Sequence, residues 1–220
     1  MTPRVTGATP TSGDVADHTE AVVTRRFRRD ELASFHGATV DDLLPGPGDP
    51  PLRLLFVGIN PGLWTAAVNA HFARPGNRFW PALHRAGITP WLVDASDGMQ
   101  SDDLRMLRER GIGISNVVPT ASATADQLSR DELVAGGVRL VGAVERARPA
   151  VVAVLGLTAY RRAFARPAAR AGRQDELLGG AVCWVLPNPS GLNAHETAAS
   201  LAVAYAEAAR AAGLELTPPG

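Results

Sequence analysis

The chain has 220 residues, 45% of them hydrophobic and 20% charged, which suits one soluble domain with a sizeable core plus some tail. Its 22 basic and 22 acidic residues cancel, and every basic residue is an arginine, so no lysine exists to form a Schiff base or to serve a Walker-type phosphate loop. A single cysteine, Cys183, excludes a disulfide framework, a Cys-ligated iron–sulfur cluster and the paired-cysteine zinc site of a nucleobase deaminase.

Residues 1–24 are rich in Thr, Ala, Gly, Pro and Ser without a period and are expected as a disordered tail with no signal-like apolar region. Residues 25–51 follow as a basic arm and a Pro/Gly linker. The run Arg25-Arg26-Phe27-Arg28-Arg29 is either a solvated charge run or an arm that adds affinity for phosphates. A single domain is expected over 52–214, and residues 215–220 as a C-terminal tail. No apolar stretch reaches the roughly 18 residues of a membrane helix. The expected setting is cytoplasmic, the chain a monomer, with no membrane partner.

Within the domain, Leu52 to Ile59 is a continuous apolar run of strand length, the pattern of a strand buried on both faces. Asn77 can cap a helix that turns Phe79, Trp80, Leu83 and His84 inward and ends at Gly87. Leu104 to Arg110 reads as a helix stopped by Gly111, and Gly113 to Val118 as a weaker strand. Leu128 to Arg148 is a long amphipathic helix despite Gly136-Gly137 inside it. Ala150 to Leu155 is a second apolar strand, Thr158 to Phe164 a helix, Ala181 to Leu186 a third strand and His195 to Ala212 a final Ala-rich helix. Buried strands alternating with helices predict an α/β fold, a three-layer α/β/α sandwich on a short, mostly parallel sheet. Ligands in such sheets bind beyond the carboxyl ends of the strands.

Two of those ends share a pattern. The first reads Gly58-Ile59-Asn60-Pro61-Gly62, the last Pro187-Asn188-Pro189-Ser190-Gly191-Leu192-Asn193. A proline biases its predecessor towards extended backbone, so each Asn is held by a strand end. Asn offers an acceptor and two donors but takes no proton at neutral pH. No Asp, Glu or His lies between Phe56 and Ala70. A strong base is thus missing from the best motif, which points to a reaction whose leaving group departs early while a water is merely positioned. The five histidines show no metal-ligand spacing, and no Gly-x-Ser-x-Gly elbow occurs. No metal or other cofactor is expected.

The run from Leu54 to Leu63, continuing through His71-Phe72-Ala73-Arg74-Pro75-Gly76-Asn77-Arg78-Phe79-Trp80, resembles the mismatch-specific uracil-DNA glycosylase and thymine-DNA glycosylase family. A second motif matches at Asn188-Pro189-Ser190-Gly191-Leu192, and a third, weaker one at Gly113 to Val118. The resemblance implies a monofunctional glycosylase that hydrolyses the N-glycosidic bond of uracil or a related pyrimidine mispaired with guanine. Its partner would be double-stranded DNA, met at the bacterial nucleoid, and its product an abasic site. Residue by residue, Asn60 matches the asparagine that positions the attacking water, and Phe72 the aromatic that stacks on the flipped base. Backbone groups of Ile59 and Phe72 match those that bond the pyrimidine edge, with Thr65, Asn116 and Asn188 beside the base. Ser190, Gly191 and Leu192 match the loop that wedges the duplex and meets phosphate. The bland reading of Leu192 is a staple under the last helix. The helix expected from His195 could aim its N-terminus at a phosphate.

The chain departs from the family twice. Thr120-Ala121-Ser122 stands where an Arg-Pro-Thr run is usual, and Ala194 where some relatives carry arginine, which puts the opposite-base preference in doubt. A non-catalytic binder of damaged or uracil-containing DNA on the same scaffold is the alternative reading.

Overall fold

The computed structural model describes residues 27–217, so the expected tail 1–24, Arg25, Arg26 and residues 218–220 lie outside the described residues. Four parallel strands form the centre: β1 (Leu54–Gly58), β2 (Ile112–Asn116), β3 (Val151–Leu155) and β5 (Val182–Leu186). A two-residue β4 (Gly172–Arg173) pairs antiparallel with β5, giving the order β2-β1-β3-β5-β4. All five residues of β1, β2 and β3 are buried, the reason β1 and β3 read as unbroken apolar runs; β2 buries Ser115 and Asn116 as well, which makes it the weaker strand signal.

Alternation survives in where the side chains go. Leu54 and Phe56 of β1, with Val151, Ala153 and Leu155 of β3, enter a core beneath α3 (Phe79–Arg85), α4 (Ser101–Glu109) and α7 (Ala198–Ala211). Leu55 and Val57, with Val152, Val154, Cys183 and Val185, face α5 (Arg130–Ala147) and α6 (Leu157–Ala163) on the other side. The result is the three-layer α/β/α sandwich.

Local chemistry sets the helix starts. Ser129 Oγ accepts from Glu132 N–H at 3.1 Å while the Glu132 carboxylate accepts from Ser129 N–H at 2.8 Å, a capping box that opens α5. Gly136 and Gly137 sit in α5 because a Cβ there would lie 2.5 Å from the Val117 carbonyl oxygen and 2.6 Å from that of Ala163. The helix interior gives up about 1 kcal/mol per glycine and gains close approach to the end of β2 and to α6. The last helix starts later than His195: Thr197 Oγ1 accepts from Ser200 N–H at 3.1 Å and α7 begins at Ala198. Its own cap therefore uses part of the N-terminus expected to meet a phosphate.

The segment expected as arm and linker is attached along much of its length. It forms α1 (Arg29–Ala33), then pairs Thr39 with Thr120 and Leu43 with Ile114, the latter through two 2.8 Å backbone bonds. Val40 is buried. At the other end, Thr217 N–H donates to the Gly87 carbonyl and Leu216 packs on the core, so residues 215–217 lie against the domain. Glycine and proline content marked 45–51 as a break, but the pairing of Leu43 depends on the edge of β2, which only the tertiary fold supplies. A short α2 (Leu63–Val68), also unforeseen, follows β1 directly.

Candidate active site

A cleft of about 610 Å³ opens at the carboxyl ends of β1, β2, β3 and β5. Ile59, Asn60, Thr65, Phe72, Asn116, Asn188, Ser190 and Leu192 all line it. Gly191 does not, but sits beside them on the loop after β5. A second cavity, of about 400 Å³, lies by Tyr160, Arg166 and Glu176, away from every strand end named above.

Asn60 is held by its nitrogen. Nδ2 donates to Ser122 Oγ at 2.7 Å, to the Pro61 carbonyl at 3.1 Å and to the Thr120 carbonyl at 3.3 Å. Carbonyl oxygens only accept, so the two of them fix which end of the amide is NH₂. Oδ1 is the end left for a ligand in the cleft. Ser122, itself buried, passes the constraint on by donating from Oγ to the Thr124 carbonyl at 2.8 Å. Thr120 and Ser122 entered the sequence reading only as departures from a pattern. Their role as the cradle of Asn60 depends on the chain returning beside Pro61, where Ser122 N–H donates to the Pro61 carbonyl.

Phe72 has φ of 55°, a left-handed conformation costly for a bulky residue and worth roughly 1–3 kcal/mol of strain. Its ring stacks on Phe79 with centroids 3.9 Å apart and planes at 23°. One face is thereby occupied, and Phe72 itself lines the cleft. Gly58 is required beneath it, because a Cβ there would lie 3.2 Å from Phe72 Cζ and 2.5 Å from Asn116 Oδ1. Thr65, buried on α2, and the half-buried Ile59 complete this side. The Ile59 carbonyl accepts from Val118 N–H at 2.9 Å, which fixes the end of β1 against the chain that follows β2.

The loop after β5 is built differently. Asn188 Oδ1 accepts from Ser190 N–H at 2.9 Å, forming an Asx turn, and Asn193 Nδ2 returns to the Asn188 carbonyl at 3.1 Å. The ligand-facing end of Asn188 is thus its NH₂. Arg78 clamps the whole loop: its guanidinium donates to the carbonyls of Ser190 at 3.0 Å, Asn193 at 2.9 Å and Gly191 at 3.4 Å. The Arg78 N–H adds a bond to the Pro189 carbonyl at 2.9 Å. Gly191 fits because a Cβ would lie 2.6 Å from the Gly76 carbonyl oxygen. On this braced loop Leu192 stands 70% exposed, an apolar side chain held out at the rim rather than a staple under α7. Arg78 stands inside a contiguous sequence motif that gives no sign of this task, since no local spacing signals a clamp that spans more than a hundred residues.

Titratable groups are sparse here. Among the described residues, Asp126, exposed on the turn 125–127, is the one carboxylate of the lining, and Arg74, exposed, its one arginine. His71 is buried, and that burial holds its imidazole below the ordinary value of 6.5, neutral near pH 7. Among the described residues no three His, Cys, Asp or Glu side chains come together as a metal site. The arrangement can hold a flat ring against Phe72 and a water against Asn60 Oδ1.

A family model described as the uracil DNA glycosylase superfamily matches residues 45–209. That span includes both Asn-Pro strand ends and every strand of the sheet. The chain belongs to this superfamily, a hydrolase of the DNA glycosylase kind.

Proposed function

We propose that this member of the uracil DNA glycosylase superfamily is a monofunctional, mismatch-directed enzyme that releases uracil or a related pyrimidine paired with guanine. The observation that carries the reading is the Asn60 amide, locked by Thr120, Pro61 and Ser122 with its oxygen left to the cleft that Phe72 lines. An acceptor so placed takes a hydrogen bond from a water and aims its lone pair, without removing a proton.

The target base leaves the helix at a cost of roughly a few kcal/mol, least where pairing is already poor. Leu192 enters the gap as an apolar wedge on a loop that Arg78 keeps rigid. The base stacks on the free face of Phe72 while Phe79 supports the other. As the glycosidic bond lengthens, charge builds on the sugar as an oxocarbenium and on the departing pyrimidine as an anion. Polar groups fixed in advance, Asn188 Nδ2 among them, favour that charge without reorganising. The water held by Asn60 closes on C1′, and its proton leaves to solvent or to the departing base. With no lysine in the chain, a lysine amine cannot carry the reaction on to strand scission. The product is an intact strand with an abasic site.

The test is a duplex holding one G·U pair, incubated with enzyme in excess and then treated with alkali. Alkali-dependent cleavage at the uracil is expected, with none before alkali. Binding without cleavage would instead mark a damage-binding protein, and cleavage before alkali would contradict the monofunctional mechanism.

A further inference from the structure

Asn116 closes the end of β2 as a buried residue, 4% exposed, and the orientation of its amide decides what the cleft can recognise. Nδ2 lies 3.4 Å from His71 Nδ1. On the far side of the imidazole, His71 Nε2 is 2.9 Å from the Asp41 carbonyl oxygen. That carbonyl can only accept, so Nε2 carries the hydrogen and the neutral ring presents a bare lone pair at Nδ1. Asn116 must answer with N–H. Its Oδ1 is thereby turned over Gly58, beside the Phe72 ring, with no hydrogen-bond donor to it among the described residues.

We propose that His71 is a positioning residue that sets which way round the Asn116 amide faces the base, and so makes the cleft a reader of imides. This rests on the reading of the cleft as a uracil site. An imide edge offers N–H beside C=O, which complements an amide oxygen with its NH₂ alongside. A 4-aminopyrimidine offers the reverse pattern, a bare ring nitrogen beside NH₂, and meets the same amide with like against like. The chain Asp41 carbonyl, His71, Asn116 begins in the segment 38–43 that pairs with β2, so this docked segment helps set specificity from outside the cleft.

Protonation would undo the arrangement. A proton on Nδ1 turns His71 into a donor on both sides, and the Asn116 amide must then rotate to offer its oxygen inward. Burial opposes that proton, while the Asp41 carbonyl and the Asp41 and Asp42 carboxylates favour it. Arg139 on α5 lies 3.8 Å from Asp42 and offsets part of that pull. Across the ring's own backbone, Trp80 of α3 supplies a neutral donor, Nε1–H to the His71 carbonyl at 3.1 Å.

Single-turnover release of uracil and of 5-fluorocytosine, each opposite guanine, gives a ratio whose change between variants cancels the pairing difference. His71→Leu removes the acceptor, and the ratio of uracil to 5-fluorocytosine should fall by about tenfold, the worth of one well-placed hydrogen bond. His71→Gln keeps a donor for Asp41 and an acceptor for Asn116 without a titrating group, so the wild-type ratio should return at pH 7.5. In acid the wild-type ratio should fall while that of His71→Gln stays level. A wild-type ratio in His71→Leu, or identical pH profiles for wild type and His71→Gln, would overturn the role of His71 alone. Should His71→Leu fail to fold, the pH comparison decides. Absence of uracil release by the wild type would overturn the glycosylase reading and this inference with it.

Discussion

At the mouth of the sheet, Asn60-Pro61 follows β1 and Asn188-Pro189 follows β5, and the two asparagines are wired in opposite senses. Asn60 gives its NH₂ to the protein and keeps its oxygen. Asn188 gives its oxygen to the Ser190 N–H and keeps its NH₂. The first is anchored by a distant segment, 120–122, the second by its own loop. Identical dipeptides at identical places in a parallel sheet thus become an acceptor on one side of the cleft and a turn-builder with a spare donor on the other. The difference lies in which neighbours arrive, not in the residue.

The largest expected effect is at the acceptor. Asn60→Ala should slow single-turnover uracil release by at least about a hundredfold, the scale on which a misplaced reacting group is felt. Binding to a duplex that already contains an abasic site should persist, because the wedge loop is untouched. A rate near that of the wild type would remove the water from Asn60 and collapse the contrast between the two ends.

Next comes the loop after β5. Arg78→Ala leaves the carbonyls of Ser190 and Asn193 without their charged donor, worth roughly 1.5–3 kcal/mol for such bonds. Faster amide exchange over 188–193 and a rate loss of about tenfold should follow, with the rate loss vanishing on single-stranded uracil DNA, where no gap needs a wedge. An equal loss on both substrates would show that Arg78 serves the chemistry rather than the loop.

Ser122→Ala is expected to cost less. One of three anchors of Asn60 is lost, and the carbonyls of Pro61 and Thr120 still orient the amide, so release should slow by only a few-fold to about tenfold. The sharper reading is the cycle with Asn60→Ala. If Ser122 acts through Asn60, the double variant should be no slower than Asn60→Ala by itself. Additive losses would give Ser122 a contact of its own with the substrate.

How much of this was legible beforehand follows a physical line. Leu54–Gly58 and Val151–Leu155 announced themselves because burial on both faces forces a continuous apolar run, and Val182–Leu186, half-buried on one face, reads the same way. Asn60 and Phe72 stood in motifs whose residues are contiguous. What escaped were groups recruited across the fold: the Thr120 carbonyl and Ser122 hydroxyl under Asn60, the reach of Arg78 to residues 190–193, and the Asp41 carbonyl behind His71. Four of these five contacts end on backbone carbonyls, and a carbonyl leaves no mark in a sequence. The Leu43 pairing failed to show for a related reason, since an edge partner is chosen by exposed N–H and C=O groups rather than by side chains.

The smallest effect separates the two asparagines most cleanly, through one substitution made twice. At 188 a carboxylate is a better acceptor than an amide for the Ser190 N–H, and the NH₂ it replaces bonds nothing among the described residues. Asn188→Asp should therefore leave the melting temperature nearly unchanged, whereas Asn188→Ala should cost about 1 kcal/mol with the turn bond. At 60 the same exchange sets an oxygen against the carbonyls of Pro61 and Thr120, with only Ser122 able to donate. Asn60→Asp should lose roughly 1–3 kcal/mol, or several degrees at about 2–4 °C per kcal/mol for a chain of this size. The pH dependence then carries the sign. A carboxyl that must be protonated to satisfy those carbonyls has its folded pKa raised above the unfolded value of about 3.9. The folded state binds the extra proton, so the deficit of Asn60→Asp relative to wild type should shrink as pH falls through that raised pKa. Asn188→Asp should show the reverse tendency, since its ionised form is the better partner for the Ser190 N–H. Parallel pH profiles for the two variants would mean that both asparagines present the same end to the cleft, and that the opposition between the strand ends is wrong.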